Sequence, residues 1–134
     1  MPIDRLRRRA DFLAAATGPR ARGDAFVVQM RHRDDNAPAR VGFTVSRKVG
    51  NAVLRNRARR RLREMVRLAP ADALAPGHDY VLVARRPALN AAFDQLARDF
   101  TKALLRLSRT AKPHRLLNDN NTAGPASGSD ESRQ

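Results

Sequence analysis

Residues 40–68 read RVGFTVSRKVGNAVLRNRARRRLREMVRL, and two periods meet in them. Apolar side chains first recur at every second residue, at Val41, Phe43 and Val45, the period of a strand with one buried face. Gly50-Asn51 suits a turn into a helix N-cap, and beyond it the period lengthens. At 100° per residue Leu54, Ala58, Leu62, Met65, Val66 and Ala69 fall in one arc, and Pro70 stops the run. The opposite arc carries Arg55, Asn56, Arg59, Arg60, Arg63 and Arg67, with Arg57 and Arg61 on its flank. These patterns predict a strand over Arg40–Ser46 and a helix over Asn51–Leu68.

The helix is unusual in its charge. Six of the nine residues from Arg55 to Arg63 are Arg. A solvated helix face normally mixes signs, because like charges four residues apart destabilise it by a few tenths of a kcal/mol per pair. Here Glu64 is the only nearby relief. A dense face of one sign is costly unless an anion receives it. Arg in place of Lys points the same way, since its planar fork engages phosphate oxygens in pairs and stacks on bases. The bland alternative is a merely soluble basic surface.

Outward from this core, Ala25–Arg33 (AFVVQMRHR) reads as a strand with Phe26, Val28 and Met30 on one face. Asp34–Pro38 is a turn, so this strand and Arg40–Ser46 are expected to form an antiparallel hairpin. Arg5–Ala16 reads as a short helix, with Asp4 as N-cap, Gly18-Pro19 as stop, and Leu6, Phe12 and Leu13 inward. A short strand over Arg20–Arg22 is weakly signalled. Tyr80–Arg85 (YVLVAR) is a continuous apolar strand, expected at the sheet centre. Ala91–Arg109 is a second amphipathic helix, with Phe93, Leu96, Phe100, Leu104 and Leu107 inward. The expected fold is therefore α+β, a small, mainly antiparallel sheet with three helices, in the order α-β-β-(β)-α-β-α.

The chain has 134 residues, enough for one domain. Residues 1–110 are expected to form it, with 111–134 as a disordered polar tail poor in apolar side chains. There are 27 basic and 13 acidic side chains, net +14, and 24 of the 27 are Arg. Residues 1–68 hold 18 basic and 6 acidic side chains, so the polyanion surface belongs to the first half. The absence of Cys excludes disulfides, zinc ribbons and thiol nucleophiles. His32, His78 and His114 are too scattered for a His-based metal site and read as loop or surface residues. No run has the apolar length of a membrane span. No apolar segment follows the basic N-terminus as in a secretory signal. A soluble cytoplasmic protein is the expectation.

The stretch from Val41 through Arg47-Lys48-Val49-Gly50-Asn51-Ala52 to Arg55-Asn56-Arg57 and on to Arg63 resembles the protein subunit of bacterial ribonuclease P. Weaker agreement spans residues 5–109. The resemblance implies a protein that binds a large catalytic RNA and, with it, removes the 5′ leader of precursor tRNA. It implies that the RNA performs the hydrolysis with Mg²⁺, which the RNA mainly holds, so that no residue here is catalytic. It also implies a left-handed β-α-β crossover, against the usual hand. Arg55, Asn56 and Arg57 match the family signature. Arg59, Arg60 and Arg63 match its continuing basic positions, and Arg47 and Lys48 its basic pair before Gly-Asn-Ala. Phe12 matches an aromatic of the leader cleft on the first helix, and Phe26 one on the following strand. Ala16 and Gln29 stand where some members carry further aromatics, so the leader grip is expected to rest more on Arg and shape than on stacking. Phe12, Phe26 and Phe43 each retain a plain reading as core. The implied partners are the ribonuclease P RNA and precursor tRNA in a complex of one RNA and one protein, with no membrane and no protein partner required.

Two rival functions are weighed. A structural RNA-binding protein, such as a ribosomal component, shares the size and charge but not the contiguous signature. A nuclease acting alone would need clustered carboxylates or a His pair beside a cation. The only acid between Asn36 and Ala71 is Glu64.

Overall fold

Asp4 and Arg5, expected to open the first helix, instead form a strand, β1. They lie parallel to β4 (Arg40–Thr44), and the Asp4 N–H donates to the Ala39 carbonyl at 2.8 Å. The exposed edge of β4 supplies a backbone partner that an isolated helix start lacks. Helix α1 therefore begins only at Arg9 and runs to Ala16. The structure, a computed structural model, describes residues 3–111.

The chain continues through β2 (Arg20–Arg22), β3 (Phe26–His32), β4, a 3-10 turn at Arg47–Val49, and α2 (Ala52–Leu68). It ends through β5 (His78–Ala84), a second 3-10 turn at Arg86–Leu89, and α3 (Phe93–Ala111). The fold is α+β with three helices and a mixed five-stranded sheet in the order β1-β4-β5-β3-β2. Helix α3 runs through Ala111, so the expected boundary at 110/111 falls inside it. The rest of the expected polar tail, and His114 with it, lie outside the described residues.

The expected β3–β4 hairpin does not form. β5 lies between the two strands, antiparallel to β3 and parallel to β4. The sheet is thus evenly mixed and not mainly antiparallel, with two parallel and two antiparallel pairs. The physical reason is β5 itself. Its run Tyr80-Val81-Leu82-Val83-Ala84 is apolar on both faces, so it gains most from the central position. A β-α-β crossover between parallel neighbours is formed by β4, α2 and β5.

The sheet has helices on both sides. Phe26, Val28, Met30, Val41, Tyr80 and Leu82 join the inward sides of α2 and α3 in the main core. The arcs expected on both helices supply it: Ala58, Leu62, Met65 and Val66 from α2, and Leu96, Phe100 and Leu107 from α3. Tyr80 is buried, and its hydroxyl at the edge accepts the Ala75 N–H at 3.1 Å. On the other face α1 covers a smaller cluster of Leu6, Ala15 and Val81, with Phe12 and Val83 packed against it.

Candidate nucleic-acid interface

Helix α2 starts where its chemistry says it should. The Asn51 side chain accepts the Leu54 N–H at 3.0 Å, capping the helix. Gly50 before it has φ +150°, and a Cβ there would meet the Leu54 side chain at 2.6 Å. The helix then divides its arginines. Arg60 is exposed on the outer side. On one flank Arg59 donates to the Asn56 side chain at 3.0 Å, and the Arg63 guanidinium lies 6.0 Å from the centre of the Phe43 ring. On the other flank Arg57 donates to the Leu89 carbonyl at 3.2 Å. Arg61 donates to the carbonyls of Ala88 and Ala91 at 2.8 and 2.6 Å. These two arginines fasten the second 3-10 turn to α2.

Arg55 is not on the outer arc. Seven residues before Leu62 is close to two full turns, so Arg55 shares the inner side and is half-buried. Its Nε is buried, with no hydrogen-bond partner among the described residues. Arg47 and Lys48 stand exposed on the first 3-10 turn, where the Ser46 hydroxyl accepts the Lys48 N–H at 3.2 Å.

Among the described residues, no carboxylate comes within ion-pair reach of Arg47, Lys48, Arg55, Arg57, Arg59, Arg60, Arg61 or Arg63. Glu64 pairs instead with Arg67, whose hydrogen bonds hold its carboxyl below the usual range.

The opposite end of the sheet is electrically the reverse. Asp79 is 0% exposed. It accepts from Arg33 at 2.6 Å and from Arg40 at 2.8 Å through each carboxylate oxygen. Burial pushes its carboxyl up, but the hydrogen bonds from Arg40 and Arg33 outweigh burial and hold it below the ordinary value. Asp11 of α1 joins the cluster, 3.0 Å from Arg31 and 3.5 Å from Arg40. Asp35 completes it by pairing with Arg33 at 3.0 Å. Three arginines of the basic first half are thereby neutralised.

On the α1 side of the sheet the strand registers define a groove. The row Gly42, Val81 and Gln29 runs beside the row Thr44, Val83, Val27 and Arg22. Phe12 reaches over Gly42 so closely that a Cβ there would lie 2.5 Å from its ring. Val27 and Val83 are half-buried, and Thr44 and Arg22 are exposed. Phe26 is not part of this groove. It lies on the other face, fully buried, with its ring edge-on to Phe100 at 6.2 Å. The alternation that groups Phe26 with Val28 and Met30 already requires this, since neighbours on a strand face opposite ways. The same alternation would have found Val27. Ala16 and Gln29 are half-buried, and the Ala16 carbonyl accepts from Arg20 at 2.8 Å.

His32 and His78 are paired across β3 and β5 with their rings stacked at 4.7 Å. They are strand-end residues and not loop residues, and His32 is at the surface as expected. Among the described residues no group of three or more His, Cys, Asp or Glu could hold a metal ion. No helix there is long and apolar enough to cross a membrane.

Comparison with known proteins gives a consistent picture. A family model described as Ribonuclease P matches residues 2–108. The Ribonuclease P protein component of Bartonella quintana is 48% identical over 115 residues, covering 81% of each chain. Among solved structures, a mutant of the Staphylococcus aureus RNase P protein aligns with a TM-score of 0.66 at 30% identity, over 78% of this chain and 87% of its own. The RNase P protein of Thermotoga maritima aligns with a TM-score of 0.61 at 29% identity, over 81% of this chain and 98% of its own.

Proposed function

The chain belongs to the bacterial ribonuclease P protein family, and from that premise we propose how it serves as the protein subunit of that ribonucleoprotein in tRNA 5′-leader processing. The outer side and flank of α2, with Asn56, Arg59, Arg60 and Arg63, dock on the ribonuclease P RNA. Arg57 contributes its exposed part there while holding the second 3-10 turn. Arg55, Arg47 and Lys48 add positive charge at the start of the helix. The observation that carries this reading is the division of the arginines. Among the described residues, those at the Asp79 end of the sheet have carboxylates, and those of α2 between Arg55 and Arg63 have none. A helix of 17 residues spans about 26 Å, enough for its face to follow several phosphates.

The 5′ leader of precursor tRNA lies in the groove between α1 and the sheet, with Phe12 as the one aromatic available for stacking. Base–aromatic stacking is worth about 1–3 kcal/mol per base. A single stacking position with Arg22 at the rim makes shape and charge the larger part of the grip. Phe26 has no part in it.

Hydrolysis belongs to the RNA subunit in this reading, with Mg²⁺ as its cofactor. The protein's donor set does not fit a Mg²⁺ site, which takes carboxylate and other oxygen ligands, because guanidinium groups crowd this surface and repel a cation. The chain's own contribution is to bind, to orient the leader and to offset phosphate repulsion. One protein with one RNA, in the cytoplasm, completes the proposal.

The test is cleavage of a 5′-extended precursor tRNA at low Mg²⁺, comparing protein alone, cognate RNA alone, and both. Activity only, or far greater, with both is expected. No stimulation by a folded protein that still binds RNA would favour a structural RNA-binding role instead.

A further inference from the structure

Helix α1 has little of its own to hold it in place. It has eight residues, and Arg8 at its N-cap makes no capping side-chain hydrogen bond. A helix this short is marginal in water and depends on what it packs against. Its apolar anchorage is small. Ala15 is fully buried, but Phe12 is half-buried and Leu13 is exposed.

Asp11 supplies a second anchor. The strand registers place Arg40 of β4, Asp79 of β5 and Arg31 of β3 side by side in one row. The next row on the same face is Gly42, Val81 and Gln29, two residues or about 7 Å along the strands. Asp11 stands over the first row. One of its carboxylate oxygens lies 3.0 Å from Arg31 and the other 3.5 Å from Arg40. Phe12 stands over the second row, so close that a Cβ on Gly42 would lie 2.5 Å from its ring. The two arginines are themselves aimed from below. Asp79, fully buried, accepts from Arg40 at 2.8 Å through each oxygen and lies 3.7 Å from Arg31. The Asp11 side chain is 15% exposed, so salt screens its pairs less than pairs at the surface. Two consecutive residues of α1 therefore meet neighbouring rows of the sheet, and the ionic one fixes where the aromatic one falls.

We propose that Asp11 is a positioning residue for leader binding. Held by Arg31 and Arg40, it sets the seat of α1 on the sheet and thereby the pose of Phe12 over Gly42, without touching RNA itself. This role rests on the leader-groove reading above. The sign of the effect is diagnostic. Asp11→Ala removes a negative charge and frees two guanidinium groups, so electrostatics alone would tighten binding to any RNA. Positioning predicts the reverse, and only for the leader.

Wild type, Asp11→Ala, Phe12→Ala and the double variant are each reconstituted with ribonuclease P RNA. Affinity is then measured for precursor tRNA with its leader and for mature tRNA. Loss of one base stack corresponds to about 5- to 150-fold, and Phe12→Ala sets the ceiling within that range. Asp11→Ala is expected to weaken leader-bearing precursor tRNA by at least about 5-fold, with no weakening of mature tRNA binding or of assembly with the RNA. In the Phe12→Ala background it is expected to add less than about 2-fold, because the side chain it positions is gone. Asp11→Asn keeps the shape and one acceptor oxygen, falls between wild type and Asp11→Ala, and carries the same cycle if Asp11→Ala melts below the assay temperature. Asp94→Ala, which removes an exposed carboxylate on α3, leaves the preference for the leader unchanged. If Phe12→Ala shows a leader-specific loss and Asp11→Ala shows none, the positioning role is overturned and the groove reading stands. Additive losses in the double variant, or equal losses for both tRNAs in Asp11→Ala, overturn it as well and leave Asp11 a structural residue only. Equal losses for both tRNAs in Phe12→Ala overturn the groove reading, and the role of Asp11 with it.

Discussion

Replacing Asp79 by Ala removes the one carboxylate that both Arg33 and Arg40 share. The Arg33 side chain is 6% exposed, so its charge cannot simply turn to water. Asp35 still faces it, but from the solvent side. Breaking a buried ion pair from one side costs about 3–5 kcal/mol, because an uncompensated charge stays behind. That is a large share of the about 5–15 kcal/mol that holds a domain together. At about 4–8 °C per kcal/mol for a domain near this size, the melting temperature falls by at least about 12 °C.

The assay is urea unfolding of the RNA-free protein, followed by circular dichroism, with a thermal scan beside it. Asp79→Asn keeps the shape and one acceptor oxygen, and should fall between wild type and Asp79→Ala. The pH dependence adds a second readout. The native carboxyl of Asp79 is held below its unfolded value. Its contribution to stability is therefore fully present above the unfolded pKa of about 3.9, and is lost as pH falls through the lower native value. Asp79→Ala should lack this part of the acid-induced loss. Glu64, also lowered but by Arg67 alone, contributes alike in both proteins. A stability change below about 0.5 kcal/mol, the size expected of an ordinary surface substitution, would refute the claim that this cluster is a desolvated ionic core.

Other outcomes follow from single contacts. Asn51→Ala removes the cap on Leu54 and should cost about 1 kcal/mol in urea unfolding, without changing the salt slope of RNA binding. Phe12→Ala should weaken binding of leader-bearing precursor tRNA by about 1–3 kcal/mol and leave mature tRNA binding unchanged; equal losses for both would remove Phe12 from the leader groove. Arg60→Ala should weaken assembly with the ribonuclease P RNA and lower its salt slope by about 0.7–0.9, with the melting temperature unchanged. Arg57→Ala should weaken the same assembly and also lower the melting temperature, because it loses the Leu89 carbonyl; unchanged RNA affinity at physiological salt would count against its binding role.

What the sequence alone determines here is local. The period of two in Val41, Phe43 and Val45, the 3.6-residue arc from Leu54 to Ala69, and the Gly50-Asn51 start of α2 depend on neighbours within a few turns. They were legible without the fold. The single-sign run from Arg55 to Arg63 was equally plain, and so was its resemblance to one family. Strand partners were not legible, because pairing is a competition among distant segments. Asp34–Pro38 suggested a hairpin, but β5, more than 40 residues on, is apolar on both faces and takes the place between β3 and β4. β1 likewise owes its existence to the edge of β4.

The division of the arginines is also a tertiary outcome. Arg31, Arg33 and Arg40 look as basic in the sequence as Arg59 or Arg60. Only folding brings Asp11, Asp35 and Asp79 to them, from three separate segments. The inward place of Arg55 and the core place of Phe26, by contrast, follow from helix geometry and strand alternation, which the sequence already carried. Composition set the net charge, but the fold chose which of those charges are left for a polyanion, because neutralisation requires contact and contact is decided by topology.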